Sequence, residues 1–353
     1  MKRVASIELL RFVSSLMVII WHYQQFFLPF NPFSEKEILT NNRLNQPFYD
    51  YLNLFYNYGN KGVDFFFIIS GFVFAFVYLS NKNKTNSKTF FVNRFARLYP
   101  LHFLTLIIVF FLQFYSNENF NTYIIHFLND SYHFILNLLF VSGWGFEKGL
   151  SFNGPIWSVS IEIIIYFIFF IIILSSQNNQ FFKSVLLVIF FLTLRKLLDF
   201  QFISLINAKL LNCGLLFFEG VLVYYLSKKI RNNTTFFLFG LAMFSLSLTG
   251  NFKIYLFLPS VIIIFLSFER FINKKLNNFF CFLGNLTYGT YLWHVPLQIL
   301  IVIIMKKQEI NFSSIELETF FLLYLTFLFI ISVVSYYFFE KKMRVLIRSK
   351  FSN

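Results

Sequence analysis

The sequence is poor in charged residues, in cysteine and in the short motifs of soluble enzymes. Asp, Glu, Lys and Arg make up 13% of its 353 residues, whereas soluble domains contain about 25%. The two cysteines, Cys213 and Cys281, lack the spacing of metal ligands, which argues against a disulfide framework or a zinc site. A Gly-rich phosphate loop, a His-Glu-x-x-His pattern and a Gly-x-Ser-x-Gly elbow are also missing. These absences exclude an ordinary soluble domain, and we expect no metal.

Apolar residues dominate instead, with 57% hydrophobic and 23% aromatic residues. Runs of about 17–25 apolar residues, the length that crosses a bilayer as a helix, recur along the whole chain. We therefore predict an all-α, polytopic transmembrane helical bundle of about ten spans, with no separate soluble domain. It consists of a membrane-embedded domain at 1–345 and a short basic cytoplasmic tail at 346–353. The segment 134–144 is too short to span and is predicted to be re-entrant or interfacial. The predicted spans are 6–29, 62–80, 98–115, 156–174, 184–199, 210–227, 234–250, 253–269, 281–304 and 317–339.

The net charge of +14 has a topological explanation. In a soluble protein it would suggest nucleic acid, but here the basic residues lie in loops between apolar runs, so no nucleic-acid partner is predicted. If the N-terminus is cytoplasmic, most of the 30 Lys and Arg residues fall in inner loops. This asymmetry predicts a multi-pass protein of the plasma membrane with both termini cytoplasmic.

The first apolar run, residues 7–30, contains two residues that an inert anchor would not keep, Arg11 and His22. A charge near the bilayer centre costs roughly 2.5–3.5 kcal/mol on insertion scales. Eleven residues correspond to three helical turns plus about 20°, so the two side chains share one face about 16 Å apart. One helix therefore presents two polar groups to the same interior.

Other polar residues lie within or beside later spans. Glu162 lies inside an apolar helix, and its spacing from Trp157 and Ser158 puts the three close to one face. Trp157 alone could be an interfacial anchor. Glu219 is a second intramembrane acid, and it could be a structural partner of Arg11. His294 is a second intramembrane imidazole, a residue type that more often serves packing.

Arg94 and Arg97 lie at the inner mouth of the third span. Two Arg residues at i and i+3 point their guanidinium groups the same way on a helix, and such groups hold phosphates bidentately. The alternative is a positive-inside anchor. Pro100 predicts that the helix begins there. Asp64, in the first turn of the second span, could be a helix cap.

In combination and order, these motifs resemble the acyltransferase family 3 of membrane proteins, which includes O-acetyltransferases of bacterial cell-surface polysaccharides. The resemblance covers nearly the whole chain. Two positions depart from the common pattern: Asn93 replaces a basic residue, and Ile163 replaces a second acid after Glu162. The motifs are Leu10-Arg11 followed by His22, Gly-Val-Asp-Phe-Phe-Phe-Ile-Ile-Ser-Gly-Phe at 62–72, Arg-Phe-Ala-Arg-Leu-Tyr-Pro at 94–100, Trp-Ser-Val-Ser-Ile-Glu at 157–162, Tyr-Leu-Trp-His-Val-Pro at 291–296 and Phe-Glu-Lys at 339–341.

The resemblance implies transfer of an acyl group, by default acetyl, from acyl-CoA to a sugar hydroxyl. It places His22 and Arg11 in the active site and assigns Arg94 and Arg97 to donor binding. Some members carry an extra extracytoplasmic domain, so a separate extracytoplasmic protein is a possible partner here. The acceptor would be a polysaccharide or lipid-linked sugar, beside membrane lipid.

We hypothesise from the residues that His22 is the general base, because an unperturbed imidazole pKa of about 6.5 suits proton removal near neutral pH. Glu162 would orient or charge-balance His22. Arg11 is too far along the helix to contact it, and would hold the donor thioester or pair with Glu219. The remaining candidates, assigned to substrate binding, are Trp157, Ser158, Asp64 and His294. The rival function is a transporter or flippase of a lipid-linked glycan or acyl group.

Overall fold

The computed structural model describes residues 3–30, 46–80, 86–174, 178–199, 207–230, 232–249, 253–310 and 315–351. Every regular element within these ranges is helical, which confirms the predicted all-α class. Of the outer loop 30–61, residues 31–45 lie outside the described residues. The α-helices are α1 (Ala5–Tyr23), α2 (Tyr49–Tyr58), α3 (Gly62–Phe74), α4 (Ser87–Phe120), α5 (Ser131–Leu138), α6 (Ile156–Ile168), α7 (Gln180–Asp199), α8 (Ala208–Lys229), α9 (Asn233–Thr249), α10 (Lys253–Ser267), α11 (Lys274–Lys307), α12 (Leu317–Ser335) and α13 (Lys341–Phe351).

All ten predicted spans are helical in the described residues, and seven of them belong to helices long and apolar enough to cross a membrane. The other three are α7, α9 and α10, with 20, 17 and 15 residues. The count of about ten spans is therefore approximate. The seven long helical stretches are Ala5–Phe27, Tyr49–Leu79, Ser87–Phe120, Ile156–Leu174, Ala208–Lys229, Lys274–Lys307 and Leu317–Phe351.

Two details of the expected helices are settled by the structure. Pro100 does not begin a helix as predicted, because α4 starts at Ser87 and continues through the proline to Phe120. The segment 134–144 contains only the end of α5, which has eight residues and is about 12 Å long. That length is too short to cross a bilayer, as predicted.

The described residues form two compact units. The first unit comprises Met1–Ser14, Val63–Ser87 and Ile161–Asn285, and the second comprises Ser15–Gly62, Lys88–Ser160 and Leu286–Asn353. In the first unit, α7 packs on α8 and α9 packs on α10. In the second, the core is an aromatic and aliphatic cluster that includes Tyr23, Phe26, Phe321 and Tyr324.

Helices α3 and α8 of the first unit approach so closely that their backbones touch through two glycines. A Cβ atom added to Gly71 would collide with the carbonyl oxygen of Phe217, and one added to Gly220 would collide with that of Ile68. Both obstacles are backbone atoms, which cannot rotate away. Small residues permit such contacts between membrane helices, where van der Waals packing drives association.

We expect Gly71→Ala and Gly220→Ala each to destabilise the protein by at least about 1–3 kcal/mol, the usual cost of overpacking. The measurement is the midpoint of thermal unfolding of the purified protein in detergent. The matched control is Gly149→Ala, where the new methyl group would meet only the flexible Cδ1 atom of Leu128. Equal midpoints for the three variants would contradict the close approach of α3 and α8.

Candidate active site

Two intramembrane imidazoles meet in the second unit. The rings of His22, near the end of α1, and His294, inside α11, have centroids 4.9 Å apart with an angle of 41° between their planes. His294 is fully buried, and backbone groups of Thr290 and Tyr291, one turn earlier in α11, lie within reach of its ring. A histidine kept only for packing normally has such a partner. The contact with the second imidazole, that of His22, is what favours a site role for His294.

A backbone hydrogen bond fixes the tautomer of His22. Its Nδ1 atom lies 2.9 Å from the carbonyl oxygen of Val18, one turn earlier in α1. A carbonyl oxygen only accepts, so Nδ1 carries the proton and the lone pair of a neutral ring is on Nε2. The amide of Gln298 also donates to the backbone carbonyl of His22, at 2.9 Å. His22 is thus held on two sides, with Nε2 left as its basic atom.

A third imidazole, His126, joins this pair from the segment between α4 and α5. The side chain is 3% exposed, and its Nε2 atom makes no hydrogen bond within the described residues. It lies close enough to His22 and His294 to act on both electrostatically. Burial, with a smaller contribution from His22, lowers the pKa of His126 from 6.5 to about 3. The ring is therefore neutral at physiological pH.

Hydrogen bonds from two amide side chains hold the segment that contains His126 in place. Gln113 of α4 donates to the carbonyl of Ile124 at 2.8 Å and accepts from its N–H at 3.0 Å. The amide of Asn129 donates to the carbonyl of His126 at 2.6 Å, and its oxygen accepts from the N–H of Phe152 at 2.7 Å. These bonds hold a non-helical backbone in a buried position, where its polar groups need partners.

The residue before His126 is conformationally strained. Ile125 is buried and has φ = 65°, a value that a β-branched side chain rarely adopts. On its other side the imidazole of His126 packs directly on the Cα of Gly154, where a Cβ atom would collide with Nε2. Strained residues cluster at functional sites. Sequence reasoning missed His126, and the only local signal was a histidine inside the apolar stretch Ile124-Ile125-His126-Phe127.

Two buried side-chain oxygens near His294 have no hydrogen-bond donor among the described residues. The Oε1 atom of Gln298, one turn after His294 on α11, has no partner within the described residues. Neither has the Oδ1 atom of Asn153, whose amide nitrogen donates to the carbonyl of Leu292 at 3.0 Å. These atoms could accept hydrogen bonds from a bound molecule.

Ser158 is engaged in a different hydrogen-bond network. Its hydroxyl lies 2.8 Å from the Tyr291 hydroxyl and donates to the carbonyl of Pro155 at 3.1 Å. Among the described residues none of its hydrogen bonds is to an imidazole, so no serine–histidine pair forms there. Trp157 is partly buried in the first turn of α6.

Glu162 and Asp64 belong to the first unit, and each has a polar neighbour there. The carboxylate of Glu162 accepts a hydrogen bond from the Tyr166 hydroxyl at 2.5 Å. Asp64 accepts one from the amide of Asn212 at 2.8 Å. The interaction of Glu162 with His22 stays a prediction.

Arg11 pairs with Glu8 at 3.1 Å, one turn earlier in α1, and the predicted alternative pairing with Glu219 is wrong. Glu8 also lies 3.9 Å from the guanidinium of Arg3 and packs against Gly284 of α11. The i, i+3 spacing of Glu8 and Arg11 was a visible signal for this pair. One N–H group of Arg11 is thus committed to Glu8, and the guanidinium has further donors.

Arg94 and Arg97 lie in the second unit on one continuous helix, α4, and both are partly buried. A buried carboxyl, Glu340, lies at the end of the π-helical segment Tyr336–Glu340, and the charges of Arg344 and Arg97 act on it. The Ser335 hydroxyl donates to Glu340 at 3.3 Å. A carboxyl group therefore accompanies the predicted donor-binding arginines.

Helix α11 runs from the arginine cluster, which is formed by Arg94, Arg97 and Glu340, to the imidazoles. The Tyr288 hydroxyl donates to the carbonyl of Leu98 at 2.6 Å, and Gly289 packs against the Glu340 carboxyl. His294 follows Gly289 by five residues, which corresponds to about 7.5 Å along the helix axis. One rigid helix thus sets the separation between the arginine cluster and the imidazole cluster.

The described residues contain no group of three or more His, Cys, Asp or Glu side chains arranged to hold a metal ion.

Comparisons with known proteins agree with the sequence resemblance. The model of the acyltransferase domain of family 3 matches residues 4–340. A curated relative, acyltransferase MdmB of Streptomyces mycarofaciens, is 36% identical over 110 residues, which cover 31% of this chain and 27% of that protein. No solved structure matches. Because the family model covers nearly the whole chain, this multi-pass membrane protein belongs to the acyltransferase family 3.

Proposed function

We propose that this protein is an integral membrane O-acyltransferase that moves an acyl group, by default acetyl, from cytoplasmic acyl-CoA to a hydroxyl of a cell-surface or lipid-linked sugar. Family membership supports acyl transfer. The observation that carries the proposal is the geometry of His22, whose Nδ1–H is tied to the carbonyl of Val18 and whose Nε2 remains basic beside two further imidazoles. The excess of basic residues in the predicted inner loops supports a plasma-membrane protein with both termini cytoplasmic.

In this proposal Nε2 of His22 removes the proton of the acceptor hydroxyl while its oxygen attacks the thioester carbonyl. The new C–O bond forms, the C–S bond breaks, and the proton on His22 passes to the departing sulfur. The carbonyl of Val18 keeps the ring in the required tautomer and stabilises the imidazolium that forms between the two proton transfers. Arg11 would position the thioester end of the donor.

The chemistry of the site fits a hydroxyl-bearing acceptor. Buried polar atoms without partners are costly, and they include Oε1 of Gln298, Oδ1 of Asn153 and Nε2 of His126. A sugar offers several O–H donors on adjacent carbons, which would satisfy them. His126 and His294 would therefore bind the acceptor beside His22. Trp157, Ser158, Asp64 and Glu162 stay candidates for substrate binding or catalysis, as the sequence predicted. A separate extracytoplasmic protein could complete delivery to the final glycan.

His22→Ala is expected to lower acyl transfer by about 10²–10⁴-fold, the usual contribution of a general base. The assay supplies radiolabelled acetyl-CoA to inverted membrane vesicles and measures label in glycan and lipid-linked sugar. The control is His133→Gln, which alters a buried histidine that hydrogen-bonds Asp130 at 2.8 Å. Normal transfer by a folded His22→Ala protein would remove His22 from the mechanism. No labelled glycan from the wild-type protein would favour the transporter instead.

His126→Ala is expected to reduce transfer by about tenfold to a hundredfold, because a site built to hydrogen-bond a hydroxyl loses a partner. Since the pKa of His126 is about 3, the ring is neutral throughout the working range. The loss should therefore be equal at about pH 6 and about pH 8. His126→Asn, which keeps a polar group, should restore part of the rate. A loss that varies with pH would contradict a neutral binding role.

Arg94→Ala and Arg97→Ala are expected to raise the KM for acetyl-CoA by about tenfold or more, because each removes a charge-assisted contact to phosphate. Replacement by Lys keeps the charge without the bidentate geometry, so its effect should be intermediate. Lys88→Ala removes a positive charge from the same helix and is the control. If the Ala variants of Arg94, Arg97 and Lys88 all raise the KM for acetyl-CoA by the same factor, the arginines act only through their net charge.

A further inference from the structure

A cavity in the first unit is not used by the proposed reaction. It has a volume of about 790 Å³ and is lined by residues of α7, α8, α9 and α10. Most of its wall is apolar, including Leu222 and Leu226 of α8, Met243 of α9 and Ile263 of α10. Its size is in the range of cavities that bind organic ligands. The cavity belongs wholly to residues of Ile161–Asn285.

Glu219 is the acid in this apolar cavity. It lies on the same face of α8 as Leu222, Val223 and Leu226, which follow it at i+3, i+4 and i+7. Its Oε2 atom is buried and has no hydrogen-bond partner within the described residues. An acidic residue inside a membrane span is costly and normally has a partner or a function. Arg11 is not that partner, since it pairs with Glu8.

Two lysines lie at the end of the same helix and line the same cavity. Lys228 and Lys229 are exposed and make no ion pair within the described residues. The ammonium of Lys228 turns back along α8 to lie 5.6 Å from the ring centroid of Tyr224. Tyr224 follows Glu219 by five residues, which corresponds to about 7.5 Å along the helix axis. The positive charge of Lys228 therefore lies closer to the level of Glu219 than its own Cα atom does.

We propose that this cavity binds an anionic glycerophospholipid. Its phosphate contacts Lys228 and Lys229, and its glycerol backbone lies beside Leu222 and Leu226. The protonated carboxyl of Glu219 donates a hydrogen bond to an ester carbonyl of the lipid, and an acyl chain continues beyond it along the apolar wall at Met243. The order of polar groups along α8 matches the order in the lipid, where the glycerol backbone separates phosphate from ester.

The charges favour this occupant over its alternatives. Basic pockets between transmembrane helices on the cytoplasmic side are known to hold anionic lipid head groups. Lys228 and Lys229 lie in a predicted inner loop. A zwitterionic lipid would bring its own cation next to the two lysines, and a free phosphate would leave the apolar wall exposed to water.

The test uses the full chain purified in mild detergent, with lipid retention measured by native mass spectrometry after addition of phosphatidylglycerol or phosphatidylcholine. We expect retention of phosphatidylglycerol only, and an apparent affinity at least about tenfold weaker for the double variant Lys228→Ala/Lys229→Ala. The matched control is Lys306→Ala/Lys307→Ala, a lysine pair that ends another helix, α11. If the two double variants retain phosphatidylglycerol equally, the proposed lipid site is wrong.

Glu219 is tested by Glu219→Leu and Glu219→Gln. The leucine variant should bind phosphatidylglycerol several-fold more weakly, while the glutamine variant keeps a donor and should retain it. The thermal midpoint of each variant without added lipid checks that it is folded. Unchanged binding by the leucine variant would refute the role of Glu219. Preferential retention of a polyprenyl phosphate would overturn the glycerophospholipid and assign the cavity to another lipid.

Discussion

The hydrogen bond between the Nδ1 atom of His22 and the carbonyl oxygen of Val18 determines which chemistry the site can perform. It uses a helix carbonyl, which cannot move away or change its protonation state. The ring therefore presents a lone pair on Nε2. The other residues of the second unit extend this arrangement, because they bring the imidazoles of His294 and His126 to the same place.

Helix α11 organises the second unit around this histidine. Within about three turns it packs Gly289 against the Glu340 carboxyl, places the His294 ring at an angle of 41° beside that of His22 and donates from Gln298 to the His22 backbone. The helix is continuous through Pro296, so its residue spacing determines how far apart these three contacts lie. A donor held at Arg94 and Arg97 and an acceptor held at His126 would thus be bound at a set distance from each other.

The features that could be predicted from the sequence were those with a period or a local spacing. Apolar runs longer than about 17 residues must be helices in lipid, because no other open structure satisfies its own backbone. The same logic placed Arg11 and His22 on one helix and Arg94 and Arg97 on another. The ion pair of Glu8 and Arg11 could have been found in the same way.

What could not be predicted depends on contacts between distant segments. His126 becomes part of the site because Gln113 and Asn129 fix its segment and Gly154 leaves room for its ring. Neither hydropathy nor spacing encodes such a meeting. The helix start expected at Pro100 failed for a related reason: thirteen residues before it, from Ser87 onward, are helical in spite of their polar and basic character.

The amide of Gln298 is bonded to the backbone carbonyl of residue 22 and not to its side chain. The attachment of α1 to α11 at this point is consequently independent of which amino acid occupies position 22. In evolutionary terms, the scaffold and the reactive group can vary separately. A relative could replace the imidazole by another group without loosening the two helices, and so acquire a different chemistry on an unchanged frame.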